Sequence, residues 1–347
     1  MYIRKKPQWH VIFLLPILLL VTTAVWAQDT GRFEYSSRHM GTTFRIILYA
    51  DSKALADSAA AAAFARVESL NDILSDYKPD SELNRLVRTA GKDTAVRVSN
   101  HLFRVLDHAR TVSEKTGGAF DVTVGPYVTL WRAMNRQPDP SLPSRDSLKK
   151  VGERVGYRHL KLNHADQTVT LATGDMQLDL GGIAKGYAVD QALNVLRQHG
   201  IEAALVDGGG DISLGDPPPS RRGWRVEVLT HDRSGVREQL MLELSNKAVA
   251  TSGDLFQHVM ISGVRYSHII DPRTGLGLTD RRQVTVIAPD GITADSYASA
   301  ASVLRPEKAL ELVSRMPSVV LFMEQNREDG IRRWQSPGFE RLLVPRK

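Results

Sequence analysis

The stretch Leu178-Asp179-Leu180-Gly181-Gly182-Ile183-Ala184-Lys185-Gly186-Tyr187-Ala188-Val189-Asp190 constrains this chain more than any other. A short apolar run over 176–180 ends in two glycines, after which Ala188, Val189, Ala192, Leu193 and Leu196 recur at helical spacing until Gly200. The pattern predicts a strand, a glycine turn and a helix. Glycines at such a junction let backbone N–H groups approach a ligand, the helix N-terminus offers donors and a positive dipole end, and Lys185 adds a full charge. The segment lacks both the P-loop and the Rossmann glycine spacing. Anion binding and a plain tight strand-to-helix connection both fit it.

A chain of 347 residues, 42% hydrophobic, can bury a large core as one big domain or two ordinary ones. Its net charge of +6 suits an anionic ligand, but 24% charged residues with both signs interspersed describe a solvated surface, and no nucleic-acid partner is expected. With no cysteine there is no disulfide framework, thiolate metal site or thiol nucleophile, so a metal must sit among oxygens or histidines. Arg4, Lys5 and Lys6 precede an apolar run over 11–25, and Val25-Trp26-Ala27 has the small residues of a signal-peptidase site, with cleavage before Gln28. Residues 1–27 are therefore expected to be a signal peptide that exports the chain to the periplasm. The alternative is an uncleaved anchor in the inner membrane. The working domain is 28–347.

That domain should open with a strand over 42–50 and an Ala-rich helix from 52 to about 74. A polar turn follows, in which Ser81 caps a short helix and Tyr77 could stack on a ring system or simply be an exposed loop residue. A helix from Asn100 ends near Gly117-Gly118, an extended piece over 119–126 comes next, and 135–146 is a Pro-rich surface loop. After the central helix the chain reads mainly as strands, at 203–206, 224–228, 240–244, 249–254, 265–270 and 283–288. Asp207-Gly208-Gly209-Gly210-Asp211 is a turn where backbone approaches something closely, and Asp271-Pro272-Arg273-Thr274-Gly275 is a proline turn. The fold class is α+β, with mixed sheets flanked by helices.

Beyond Asp290, Thr293 is placed to cap a helix on which Asp295 and Ser299 lie one turn apart, facing the same way. A carboxylate and a hydroxyl on one face suit magnesium, although a first-turn acid on a helix dipole needs no metal. His268 is either a general base or a strand histidine. No G-x-S-x-G elbow, H-E-x-x-H pair or EF-hand loop is present.

Taken in order, Met40-Gly41-Thr42, Ser81-Glu82-Leu83, Gly117-Gly118-Ala119-Phe120-Asp121-Val122-Thr123, the 178–186 stretch, Asp207 to Asp211, Ala250-Thr251-Ser252-Gly253, 266–275 and Ala294-Asp295 resemble the ApbE-type FAD:protein FMN transferases. The resemblance spans most of the mature chain. It implies an exported enzyme that binds FAD with Mg2+ and attaches FMN, through a phosphoester bond, to a threonine or serine of an acceptor protein, releasing AMP. Acceptors in that family carry an Asp-Gly-x-Ser/Thr-Gly-Ala-Thr stretch, often in exported subunits of membrane redox complexes. Carried over by position, the metal ligands would be the Ala184 backbone carbonyl, Asp295 and Ser299. FAD would contact Met40, Tyr77, Asp121, Gly181, Gly182, Lys185, Asp207, Gly208, Gly209, Gly210, Thr251, Ser252, Gly253 and His268, with Lys185 and His268 as catalytic groups. Two positions depart from the family pattern: Val87 stands where Asn is usual, and Gly208 where an aliphatic residue is usual. Hydrolysis of FAD to FMN and AMP is the alternative activity, and a periplasmic flavin-binding protein without chemistry is a further one.

Overall fold

A computed structural model describes Tyr2 and residues 30–231, 236–253, 258–327 and 329–345. The predicted export segment therefore lies outside the described residues except for Tyr2. Among the described residues no helix is long and apolar enough to cross a membrane.

The chain begins with β1 (Gly31–His39) and β2 (Thr42–Ala50), antiparallel and in register from Gly31 opposite Ala50 to His39 opposite Thr42. Met40 and Gly41 connect them, both at positive φ (48° and 75°), as a two-residue type I′ hairpin requires. Ser52 then caps α1 (Lys53–Leu74), and Ser81 caps α2 (Glu82–Val87). After β3 (Val96–Arg97) come α3 (Asn100–Lys115), α4 (Gly125–Met134), α5 (Arg145–Gly152), β4 (Leu160–Asn163) and β5 (Thr168–Leu171). The central helix is α6 (Ala184–Gln198), followed by β6 (Ala204–Asp207), β7 (Ile212–Leu214), β8 (Trp224–His231), β9 (Arg237–Leu244) and β10 (Ala248–Gly253). The chain closes with β11 (His258–Ile261), β12 (Val264–Ser267), β13 (Arg281–Ala288), α7 (Gly291–Val303), α8 (Pro306–Ser314), β14 (Val320–Arg327) and β15 (Gly330–Gln335).

Eight strands form one sheet in the order β1-β2-β6-β7-β10-β13-β14-β15, every neighbouring pair antiparallel. Alternation along each strand divides the core. Ile46, Leu48, Ala204 and Val206 turn to the face covered by α1, α6 and α7, while Ile47, Leu205, Val249 and Ile287 turn to the other. The β8–β9 hairpin covers that second face with Trp224, Val226, Val228, Leu242 and Leu244. The α+β architecture expected from sequence is the one observed.

Several local expectations give way to packing. Residues 176–180 are extended, with Met176, Leu178 and Leu180 buried, yet they join no strand. They lie against the start of α4, where Asp179 N–H donates to the Val122 carbonyl (2.8 Å) and a Cβ on Gly125 would sit 2.7 Å from the Gln177 backbone. Within 119–126 only Asp121 is extended, as a cap, and the chain is helical from Val122 onward. The Asp121 carboxylate accepts from Thr123 N–H, and Pro126 in the first turn of α4 is pre-set for helix, which outweighs the Val-Thr-Val pattern. The strand at 265–270 ends at Ser267, because Ser267 and Leu278 turn to bond each other and Leu278 also bonds Ile269. Finally, α7 is capped by Asp290, whose side chain accepts from Thr293 N–H, so the helix begins before Thr293. This places Asp295 past the first turn.

Candidate functional site

The helices α6 and α7 meet at two glycines. A Cβ on Gly186 would lie 2.2 Å from the Gly291 carbonyl oxygen, and one on Gly291 would lie 2.4 Å from that of Gly186. Only glycine allows this approach, and it lets each helix cap the other. Asp295 of α7 accepts from the Gly186 N–H at the start of α6 (3.0 Å), and Asp190 of α6 accepts from the Gly291 and Ile292 N–H groups at the start of α7 (2.7 and 3.0 Å). The α6 N-terminus is thus partly spent on holding Asp295 rather than left open for an anion.

Asp295 is 5% exposed. Burial, reinforced by the neighbouring Asp211 carboxylate, pushes its pKa up to about 7. Lys185 pairs with Asp211, which is 3% exposed. Burial opposes the Lys185 charge, but Asp211 and Asp295 outweigh it and hold the ammonium above its ordinary pKa. Lys185 therefore reaches a ligand with a carboxylate already beside it, not as the bare charge its sequence position implied. Ser299 sits one turn beyond Asp295, its Oγ where a Gly182 Cβ would be 2.7 Å away. Ser296 and Ser302 on the same helix bond back to the Ile292 and Ala298 carbonyls. Ser299 makes no such bond among the described residues and faces the cavity instead.

Among the described residues no cluster of three or more His, Cys, Asp or Glu is arranged to hold a metal. One buried carboxylate with a hydroxyl and a backbone carbonyl is a different donor set, and it fits a hard cation that keeps waters and takes substrate phosphates as its remaining ligands. Asp295 supports that fit, since a carboxyl that burial keeps from ionising gains most from a cation beside it. A pH dependence follows. Without a cation the raised pKa means Asp295 costs stability as pH rises from about 4 through about 7; with one, binding requires the ionised form. Apparent Mg2+ affinity, read from thermal unfolding across about pH 5.5 to about 8, should rise roughly tenfold per unit up to about 7 and then level. A flat profile would remove Asp295 from the metal site.

The cavity these residues floor has a volume of about 820 Å³. Thirteen of the residues expected from sequence line it: Met40, Tyr77, Asp121, Gly181, Gly182, Lys185, Gly209, Thr251, Ser252, Gly253, His268, Asp295 and Ser299. Ala184, Asp207, Gly208 and Gly210 are not among the lining residues: Ala184 and Gly208 are buried, Asp207 is half-buried and Gly210 is exposed. Asp207 shapes the turn by accepting from the Gly209 and Gly210 N–H groups (both 3.0 Å). A Cβ on Gly208 would come within 2.9 Å of Val189 and 3.0 Å of Phe44, which accounts for glycine there. Asp121 spends its carboxylate internally, on Thr123 N–H and Oγ1 and on Tyr157 N–H, and burial raises its pKa. Thr251 Oγ1 bonds Thr285 Oγ1 across the sheet (2.9 Å).

The same cavity has an aromatic and aliphatic lining, with Phe120, Val124, Val128, Trp131 and Tyr77; a Cβ on Gly182 would lie 3.4 Å from the Phe120 ring. Sequence reasoning missed Val124, Val128 and Trp131 because α4 was not recognised as a helix. Asn84, also missed, donates to the Ser75, Asp76 and Lys78 carbonyls and so fixes the loop that carries Tyr77. It lies one helical turn before Val87, so the loop keeps an asparagine clamp despite that departure. Trp131 Nε1 donates to the Gly275 carbonyl (2.7 Å) and holds the turn that follows His268. His268 is exposed, beyond the end of β12, and a positive charge on it would favour the Asp179 carboxylate.

The chain thus combines an eight-stranded antiparallel sheet with a cleft lined both by Asp295, Lys185 and Ser299 and by the rings of Tyr77, Phe120 and Trp131. The ApbE family model matches residues 40–323, and the chain belongs to the ApbE family. The FAD:protein FMN transferase of Treponema pallidum is 33% identical over 327 residues, covering 90% of this chain and 89% of that protein. That of Klebsiella pneumoniae strain 342 is 30% identical over 312 residues, covering 89% and 88%. The solved flavin transferase ApbE of Vibrio cholerae superposes with a TM-score of 0.80 at 31% identity, covering 90% of this chain and all of that one. The apo flavinyl transferase ApbE of Pseudomonas stutzeri gives 0.79 at 26% identity, covering 90% and 97%.

Proposed function

We propose that this protein is an Mg2+-dependent FAD:protein FMN transferase that cleaves FAD, joins FMN to a serine or threonine of an acceptor protein through a phosphoester bond, and releases AMP. The observation that carries the reading is a single cavity lined both by Asp295, Ser299 and Lys185 and by the Tyr77, Phe120 and Trp131 rings. A pyrophosphate dianion resists attack by a neutral hydroxyl, so the reaction needs its charge neutralised, the hydroxyl held in line and the leaving phosphate stabilised. Magnesium, when bound by Asp295, Ser299 and the Ala184 carbonyl, supplies charge neutralisation at the phosphate oxygens. Lys185 adds positive charge near Asp295, held in place by Asp211. His268 takes the proton of the acceptor hydroxyl as its oxygen bonds the FMN phosphorus and the bond to the AMP phosphate oxygen breaks. Its exposed position beyond β12 suits a group that must meet a protein substrate.

The basic, apolar N-terminal segment supports export to the periplasm, with the acceptor an exported subunit of a membrane redox complex. The test is to incubate the protein with FAD, Mg2+ and a candidate acceptor carrying the Asp-Gly-x-Ser/Thr-Gly-Ala-Thr stretch, and to weigh the acceptor by mass spectrometry. One added FMN on a hydroxyl residue, with AMP released in equal amount, is the expected result. FMN and AMP without an adduct would make the protein a pyrophosphatase, and no turnover would leave only flavin binding.

A further inference from the structure

We propose that Arg132 is a positioning residue for the flavin ring: it fixes Tyr77 as a stacking platform whose open face receives the isoalloxazine. The proposal rests on the FAD reading above and adds to it a residue for which neither motif nor spacing gave a signal.

The Arg132 guanidinium carbon lies 4.3 Å from the centre of the Tyr77 ring, within cation–π range. Two carboxylates from different segments hold the guanidinium. Nη1 donates to Asp76 Oδ2 at 2.6 Å, in the loop between α1 and α2, and Nη2 to Asp179 Oδ2 at 3.4 Å, in the extended segment before α6. Asp179 in turn accepts from the Gly181 N–H (2.8 Å), so the platform is tied to the Gly181-Gly182 turn. Asn84 fixes the loop backbone from below.

With all this support, Tyr77 remains 73% exposed on the cavity wall, among the largest exposed apolar surfaces in the described residues. A tyrosine tied down on one face and left bare on the other is a poor packing residue and a good stacking one. An unsupported loop tyrosine would lose rotamer freedom when a ring docks; Arg132 removes that cost beforehand. Arg132 is also poorly placed to act as a phosphate ligand, because its fork is already engaged by two carboxylates. Its effect should therefore be confined to the flavin half of FAD. Lysine cannot replace it, since a single ammonium does not bridge two carboxylates while lying flat on a ring.

The experiment measures FMN and ADP affinity separately, with Mg2+ present, for the wild type, Arg132→Ala, Arg132→Lys, Tyr77→Leu and the Arg132→Ala/Tyr77→Leu double variant. FMN binding should weaken about three- to thirtyfold in each single variant, with loss of the quenching that ring stacking imposes on bound flavin, while ADP affinity stays at the wild-type value. In transfer assays KM for FAD should rise and kcat change little. The double variant should be no worse than Tyr77→Leu alone, because Arg132 acts through that ring. Unchanged FMN affinity, or ADP affinity falling as far as FMN affinity, would overturn the proposal. A wild-type protein that binds neither FAD nor FMN would instead overturn the flavin reading on which it rests.

Discussion

Asp295→Asn should reduce FMN transfer at least about a thousandfold at saturating Mg2+, the scale expected when the charge that holds a catalytic cation is lost. Asparagine has nearly the same shape and its carbonyl oxygen can still accept from the Gly186 N–H, so the α6–α7 crossing should survive. Without the cation, the variant should unfold at the same temperature as the wild type or higher at about pH 8, because a buried carboxylate forced to ionise there is replaced by a neutral group. With the cation present the order should reverse, since only the wild type gains stability by binding it. Transfer rates over a Mg2+ series and melting curves with and without Mg2+ check both halves. Activity near wild type at high Mg2+ would show that Asp295 is a helix-capping group and nothing more.

The chemistry around Asp295 and Lys185 was legible because it is local. Asp295 and Ser299 are one helical turn apart, and Gly181, Gly182 and Lys185 fall within five residues, so one helix or one turn suffices to place them. What could not be read is what required two distant segments. Asp211 looked like one carboxylate of a glycine turn until folding put it against Lys185. Arg132 lay on a segment whose Val-Thr-Val lead-in mimics a strand, and its partners Asp76, Tyr77 and Asp179 come from two other places in the chain. The strand β1 escaped notice because its nine residues alternate only between half-buried and exposed, giving no apolar stripe to detect. The run at 176–180 had the right alternation for a strand and the wrong neighbours. Its buried side chains face the core, but its backbone bonds the entry to α4 instead of a ladder.

His268→Ala should slow transfer by about a hundredfold or more while FAD and Mg2+ still bind, since a proton acceptor for the incoming hydroxyl acts mainly in the transition state. The competing account is structural. His268 stands between the end of β12 and the Asp271–Gly275 turn, and a histidine there could serve only to fix that turn. The structure supplies other means of doing so. The Thr274 and Gly275 N–H groups both bond the Asp271 carbonyl (3.1 and 2.9 Å), Trp131 Nε1 holds the Gly275 carbonyl, and Tyr127 packs so closely that a Cβ on Gly275 would lie 2.3 Å from its ring. A turn fixed at that many points should tolerate loss of the neighbouring side chain, so His268→Asn, which keeps polar atoms of similar reach, should fold as the wild type does and still fail to transfer flavin. Single-turnover transfer and FAD affinity measured for both variants decide between the accounts. Tight FAD binding with both variants slow assigns the proton to His268. An active His268→Asn would move that role to another group in the cavity.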